Sequence, residues 1–150
     1  QGAGALPDTA RSREALQRAN ELAAAGDGSG AEFSVQAQDE AAAHLVEDAY
    51  RAARVDEWSE FDADCGKFEA EIASEFAKQK FTFAELEEEE QSLDRLRRWY
   101  RDLKKRDVLG LPDAERAAER LARCTRVLEE YAERVYAENR SAAAGDDHLA

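Results

Sequence analysis

The stretch from Lys80 to Pro112 constrains the fold more than any other part of this sequence. It carries a start signal, a continuous helical stripe and a stop signal in one run. Thr82 and Glu85 stand three apart, the spacing of a capping box in which each side chain answers the other's free backbone N–H. Phe81 before the cap and Leu86 after it have the spacing of a hydrophobic staple. Leu86, Leu93, Leu96, Tyr100 and Leu103 then recur at seven, three, four and three, which predicts one buried helical face. Gly110 followed by Pro112 is a stop signal, so the sequence predicts a helix opening near Thr82 and ending at Gly110.

This helix is electrically divided. Glu85, Glu87, Glu88, Glu89 and Glu90 crowd its start. Arg95, Arg97, Arg98, Arg101, Lys104, Lys105 and Arg106 crowd its end, with Asp94, Asp102 and Asp107 among them. Acids at a helix N-terminus and bases at its C-terminus both complement the backbone dipole, by about 0.3–1 kcal/mol each. That is the simpler account of the pattern. The functional account is an anion-binding patch: seven bases in twelve residues exceed what the dipole needs, and Trp99 and Tyr100 are interleaved with them. Arg98, Arg101, Lys104 and Lys105 are the anion-binding candidates.

A second stripe precedes it. Trp58, Phe61, Cys65, Phe68, Ile72 and Phe76 recur at three, four, three, four and four, again one helical face. Gly66 weakens that helix by roughly 1 kcal/mol relative to Ala. Upstream, Asp39 is a plausible N-cap and Leu45, Val46 and Ala49 begin the stripe, with a bend expected over Val55 to Glu57. A last helix is expected from Asp113, with Ala117, Leu121, Cys124, Leu128, Tyr131 and Val135 inward. Long helices joined by short connections pack as antiparallel neighbours.

The first part of the chain reads differently. Asp8 or Thr9 can cap a helix containing Leu16, Ala19, Leu22 and Ala23, which Gly26 is expected to end in the left-handed conformation. After the Asp27-Gly28-Ser29-Gly30 loop, Phe33, Val35 and Ala37 alternate with Glu32, Ser34 and Gln36. Period two predicts a half-buried strand over residues 31–37. A single strand cannot satisfy its own backbone, and the chain offers only residues 3–6 as a partner, so missing sequence or a second chain would complete the sheet. The expected class is therefore α+β, predominantly α. The small α/β part occupies residues 1–38, the bundle of long antiparallel helices residues 39–140, and a disordered tail residues 141–150.

Composition narrows function mainly by exclusion. The chain has 150 residues, enough for one domain with a real core, and a net charge of −13. That charge opposes a nucleic-acid footprint spread over the whole surface, because phosphate repels it. Cys65 and Cys124 both lie on apolar stripes and read as buried small hydrophobes, which fits a reducing, cytoplasmic setting. No run reaches the roughly 20 apolar residues of a membrane span. Glu40 and His44, four apart, are too few to hold a metal, and the other histidine, His148, lies in the tail. Asp62 and Asp64 flank no calcium loop. No phosphate-binding loop or nucleophile triad has the required spacing, so no cofactor, metal or catalytic residue is expected.

The run Lys80-Phe-Thr-Phe-Ala-Glu-Leu-Glu-Glu-Glu-Glu-Gln-Ser-Leu-Asp-Arg-Leu-Arg-Arg-Trp-Tyr, continuing to Arg106-Asp107, resembles the N-terminal domain of the ChrB chromate-resistance regulator family. Leu6-Pro7-Asp8 followed by helix, strand and a long acidic helix is similar in order, as is the helix through Cys124 to Tyr136. The resemblance covers roughly residues 5–140 and is most specific from Phe81 to Trp99. It implies a non-enzymatic regulatory module of a transcriptional regulator of a chromate-resistance operon, its helices serving as scaffold, dimer surface or oxyanion-sensing part. The partners implied are a second copy, chromate or another oxyanion, and DNA through a winged-helix segment before Gln1. The chain begins without Met and contains none, as a truncated downstream part of that domain would. The other reading is a helical protein-interaction or structural module with no small ligand.

Overall fold

The computed structural model describes Leu6 and residues 8–146. Four helices follow one another: α1 (Ala10–Ala25), α2 (Glu40–Lys78), α3 (Phe83–Arg106) and α4 (Asp113–Asp146). The chain divides into two units, Gln1–Glu47 and Asp48–Ala150, and the division falls within α2.

In the first unit Thr9 is the N-cap of α1: its hydroxyl accepts from the Ser12 N–H at 3.1 Å. The helix does not end on a left-handed Gly26, whose φ is −103°. Asp27 takes that conformation instead, with φ 58°, and the Gly28 N–H returns to the Ala23 carbonyl at 2.7 Å. Asp tolerates a positive φ better than most side chains, so the turn closes one residue later than glycine placement suggests.

The expected α+β class is overturned here. Residues 31–37 form no strand, and there is no strand anywhere among the described residues. Phe33 is 82% exposed and Val35 87% exposed, so the alternating pattern has no sheet to bury it. A ladder needs a second strand to take up its N–H and C=O groups. Residues 3–5, most of the expected partner, lie outside the described residues. The observed class is all-α.

Asp39 caps α2, its carboxylate accepting from the Ala42 N–H at 2.8 Å. No break interrupts α2 at Val55 to Glu57: Arg54 and Glu57 form an ion pair at 2.9 Å across that turn, and the helix runs through. Its end is a Schellman turn, with Gln79 N–H to Phe76 O at 3.1 Å, Lys80 N–H to Glu75 O at 3.0 Å, and Gln79 at φ 55°. Thr82 then caps α3, its hydroxyl accepting from the Glu85 N–H at 3.3 Å. The Glu85 carboxylate pairs with Lys80.

α3 ends at Arg106, short of Gly110, because Asp107 intervenes. Its carboxylate accepts from Gly110 N–H at 3.1 Å, from Leu111 N–H at 3.0 Å and from the Trp58 indole N–H at 3.3 Å. A side chain that gathers nearby amides competes with helix continuation. Gly110 supplies the left-handed residue of the turn at φ 65°. α4 follows and continues past Arg140 to Asp146, into the segment expected to be a disordered tail; residues 147–150 lie outside the described residues.

Within the second unit, α2, α3 and α4 run up, down and up around one core. Trp58 meets Tyr100 at 5.7 Å between ring centroids, whereas Phe76 meets Phe81 and Tyr131 at 5.6 Å each. Trp58, Phe61, Cys65, Phe68 and Ile72 of α2 are buried, as the stripe predicts. Phe76 sits at the rim, 37% exposed. Leu86, Leu93, Leu96 and Leu103 of α3 and Ala117, Cys124, Leu128, Tyr131 and Val135 of α4 complete the core, with Leu121 packed against it. Fully burying side chains of the Val, Leu, Ile and Phe kind stabilises by about 1.5–3 kcal/mol each, which is what fixes the helices against one another.

Candidate anion-binding face and buried polar groups

At 3.6 residues per turn, Arg98, Arg101 and Lys105 fall on the side of α3 opposite Leu93, Leu96 and Leu103, and Lys104 falls on its flank. All four are exposed. They differ in what holds them. Lys105 is paired with Asp102 at 3.3 Å. Arg98, Arg101 and Lys104 make no ion pair or side-chain hydrogen bond among the described residues. The neighbouring bases are engaged: Arg97 with Asp94 at 3.2 Å, Arg95 with the Ser92 hydroxyl at 3.1 Å, and Arg106 with Glu57 of α2 at 3.1 Å. Three uncommitted cations thus stand within seven residues, beyond the four bases already engaged.

The interleaved aromatics do not join this face. Trp99 packs edge-on to Phe61 at 5.5 Å, and Tyr100 lies between Trp58 and Phe61 and donates to the Ala114 carbonyl at 3.5 Å. The face is convex. A hollow of about 370 Å³ lies elsewhere, at the α2–α3 turn, lined by Gln79 to Thr82, Arg134 and Glu138. Both cations there are occupied: Lys80 by Glu85, and Arg134 by Glu138 at 2.7 Å and by the Phe81 ring at 5.2 Å. A second hollow of about 170 Å³ is lined by residues that include Lys67, Glu71 and Arg95. An anion at Arg98, Arg101 and Lys104 would be held by charge and guanidinium geometry at the surface, in a salt-sensitive way.

Two buried carboxylates went unread in the sequence. Glu89 on α3 is 7% exposed and Glu75 on α2 is 8% exposed, and each keeps one carboxylate oxygen without a partner. Burial, then Glu71, Glu88, Glu75 and Glu85, push the Glu89 carboxyl up to about 7. The Tyr131 phenol is also raised, first by burial and then by Glu75, Glu85 and Glu89, while its hydroxyl donates to the Lys80 carbonyl at 2.5 Å. The signal was present: the seven-residue gap between Leu86 and Leu93 leaves one inward position, and Glu89 fills it.

Cys65 and Cys124 are free thiols with no exposure. The Cys124 thiol donates to the Cys65 carbonyl oxygen at 3.7 Å. Glu40 and His44 pair at 3.6 Å on the surface of α2. Among the described residues no three His, Cys, Asp or Glu side chains are placed to hold a metal ion, and no helix is long and apolar enough to cross a membrane.

The second unit is thus an up-down-up helical bundle whose middle helix presents free cations to solvent. Residues 1–142 match the family described as Protein ChrB, N-terminal, and the chain belongs to that family. No curated protein and no solved structure matches it.

Proposed function

We propose that this chain is a non-enzymatic regulatory module of a chromate-resistance regulator, and that Arg98 and Arg101, with Lys105 on the same side of α3 and Lys104 on its flank, form an oxyanion-contact face on its bundle. The observation that carries the reading is the difference among the bases of α3. The dipole accounts for positive charge at this end, but it does not require that three of seven cations stay unpaired while acids are close by. An Arg fork matches a tetrahedral oxyanion through paired N–H donors. Family membership supports the regulatory context. With a net charge of −13, DNA contact is assigned to sequence outside this surface.

The test is calorimetric titration of the folded chain with chromate and with sulfate, at low and high salt. Heat that disappears in Arg98→Ala/Arg101→Ala/Lys104→Ala supports the face. No heat with either anion removes it.

A second reading is a protein-interaction module, and one observation favours it. Phe83 and Tyr136 are 51% and 52% exposed and stack edge-on at 5.4 Å, an aromatic pair on the outside of the α3–α4 hairpin. Sedimentation of the wild type against Phe83→Ala/Tyr136→Ala distinguishes a self-associating face from an inert one.

A further inference from the structure

Glu87, Gln91, Asp94, Arg98, Arg101 and Lys105 follow one another on α3 at four, three, four, three and four, one straight stripe on the side away from Leu93, Leu96 and Leu103. All six are exposed and none is apolar. The stripe changes sign at its middle, with Glu87 and Asp94 before Leu96 and Arg98, Arg101 and Lys105 after it. The helix dipole acts only within the first and last turns. Arg98 lies about two turns before the end of α3 at Arg106, and Glu90 about two turns after its start at Phe83. Within one copy the arrangement is unfavourable. Glu87 and Glu90, Arg98 and Arg101, and Arg101 and Lys105 are like charges three or four residues apart, a spacing at which they repel along a helix. Glu87, Glu88, Glu90, Arg98, Arg101 and Lys104 make no ion pair or side-chain hydrogen bond among the described residues. Asp94 pairs with Arg97 at 3.2 Å and Lys105 with Asp102 at 3.3 Å, both exposed pairs of a kind that exchange partners at little cost.

A second copy laid antiparallel along the stripe answers these charges. A two-fold axis at the level of Leu96 sets Glu87 of one copy opposite Lys105 of the other, Asp94 opposite Arg98 and Gln91 opposite Arg101, and symmetry makes each pair twice. A parallel copy would set each residue against itself, acid on acid and base on base, so the order of signs selects the antiparallel register. We propose that the outer face of α3 is a homodimer surface on which two copies pair antiparallel through Glu87 with Lys105, Asp94 with Arg98 and Gln91 with Arg101. This goes beyond the oxyanion reading, because it requires the acidic half of the helix as well as the basic half. A free oxyanion at Arg98 and Arg101 competes with the carboxylates of the second copy for the same donors. With a net charge of −13 two copies repel at long range, so only a local contact of matched signs holds them together. Exposed ion pairs are individually weak, and the dimer is correspondingly reversible.

The experiment is sedimentation of the full chain over a concentration series, for the wild type and two variants. Arg98→Glu/Lys105→Glu makes the four charges of the two ion-paired positions all acidic, and Glu87→Lys/Asp94→Arg makes them all basic. The wild type should dimerise, and each variant alone should dimerise at least about 10-fold more weakly. Equal amounts of the two variants, mixed, should recover a heterodimer, because every pair is again of opposite sign. In the wild type, carbodiimide coupling should join Glu87 to Lys105. Those residues are eighteen apart on one helix, about 27 Å, so the bond forms only between copies. A wild-type chain that stays monomeric up to about 1 mM would overturn the proposal. So would a dimer undiminished in either variant, which would move the contact to another face such as Phe83 and Tyr136, or folded variants that stay monomeric when mixed. Coupling needs no substitution, so a wild-type dimer without the Glu87–Lys105 link overturns the register even where a variant loses its helices in circular dichroism.

Discussion

Glu89→Gln should stabilise the protein at alkaline pH and leave it nearly unchanged at acid pH. The folded-state carboxyl sits at about 7, against an ordinary value of 4.5, because it is buried with one oxygen unpartnered among Glu71, Glu75, Glu85 and Glu88. The folded form therefore holds a proton that the unfolded form has lost, throughout the window between those two values. Stability from this group is complete below the unfolded value, falls as pH rises, and is lost as pH passes through about 7. At 1.36 kcal/mol per unit, the full penalty above that window is about 3 kcal/mol. Glutamine keeps the shape and removes the ionisation, so about 1–3 kcal/mol should be recovered near pH 8.5 and less than about 1 kcal/mol near pH 5. Urea unfolding followed by circular dichroism at both values measures the difference. Comparing the two proteins at each pH cancels the titration of the other carboxylates. An equal effect at both values, or a loss at high pH, would refute the assignment.

Three further outcomes follow from the core and its turns. Phe68→Ala should cost about 3–5 kcal/mol in the same assay, since the ring is only 3% exposed at the centre of the α2 stripe. Asp107→Ala removes the acceptor for two turn amides and the Trp58 indole, and should cost about 2–4 kcal/mol with a change in tryptophan fluorescence. Gln79→Gly should stabilise by about 1 kcal/mol, because Gln79 occupies a left-handed position that glycine takes without penalty; thermal melts would show the sign.

The helical part of this fold was legible because periodicity reports burial directly. Trp58, Phe61, Cys65, Phe68 and Ile72 read as one face and pack as one face. Thr82 was legible because a cap is a local interaction over three residues. Residues 31–37 misled, since alternation states what a strand would bury without showing that anything covers it. The C-terminus of α3 misled for a related reason: Gly110 and Pro112 mark the turn, but the side chain that starts it is Asp107, whose partners include a residue forty-nine positions away. Of the candidate anion site, the cluster of bases was visible; which of them remain free was not. That depends on rotamers and on Glu57 of α2, which takes up Arg106. The nearness of Cys65 to Cys124 depends on the rotational setting of two helices and has no local signature.

Each turn of the bundle is secured by the helix it does not join. The α3–α4 turn is tied through Asp107 to Trp58 of α2, and the α2–α3 turn is tied through the Lys80 and Phe81 carbonyls to Tyr131 and Asn139 of α4. Neither hairpin can therefore complete its own connection. Half a bundle leaves a turn with unanswered polar groups, so partly folded forms gain little from local order. Excising either hairpin should give an unfolded peptide, and the intact second unit should melt as one cooperative body rather than shedding a helix.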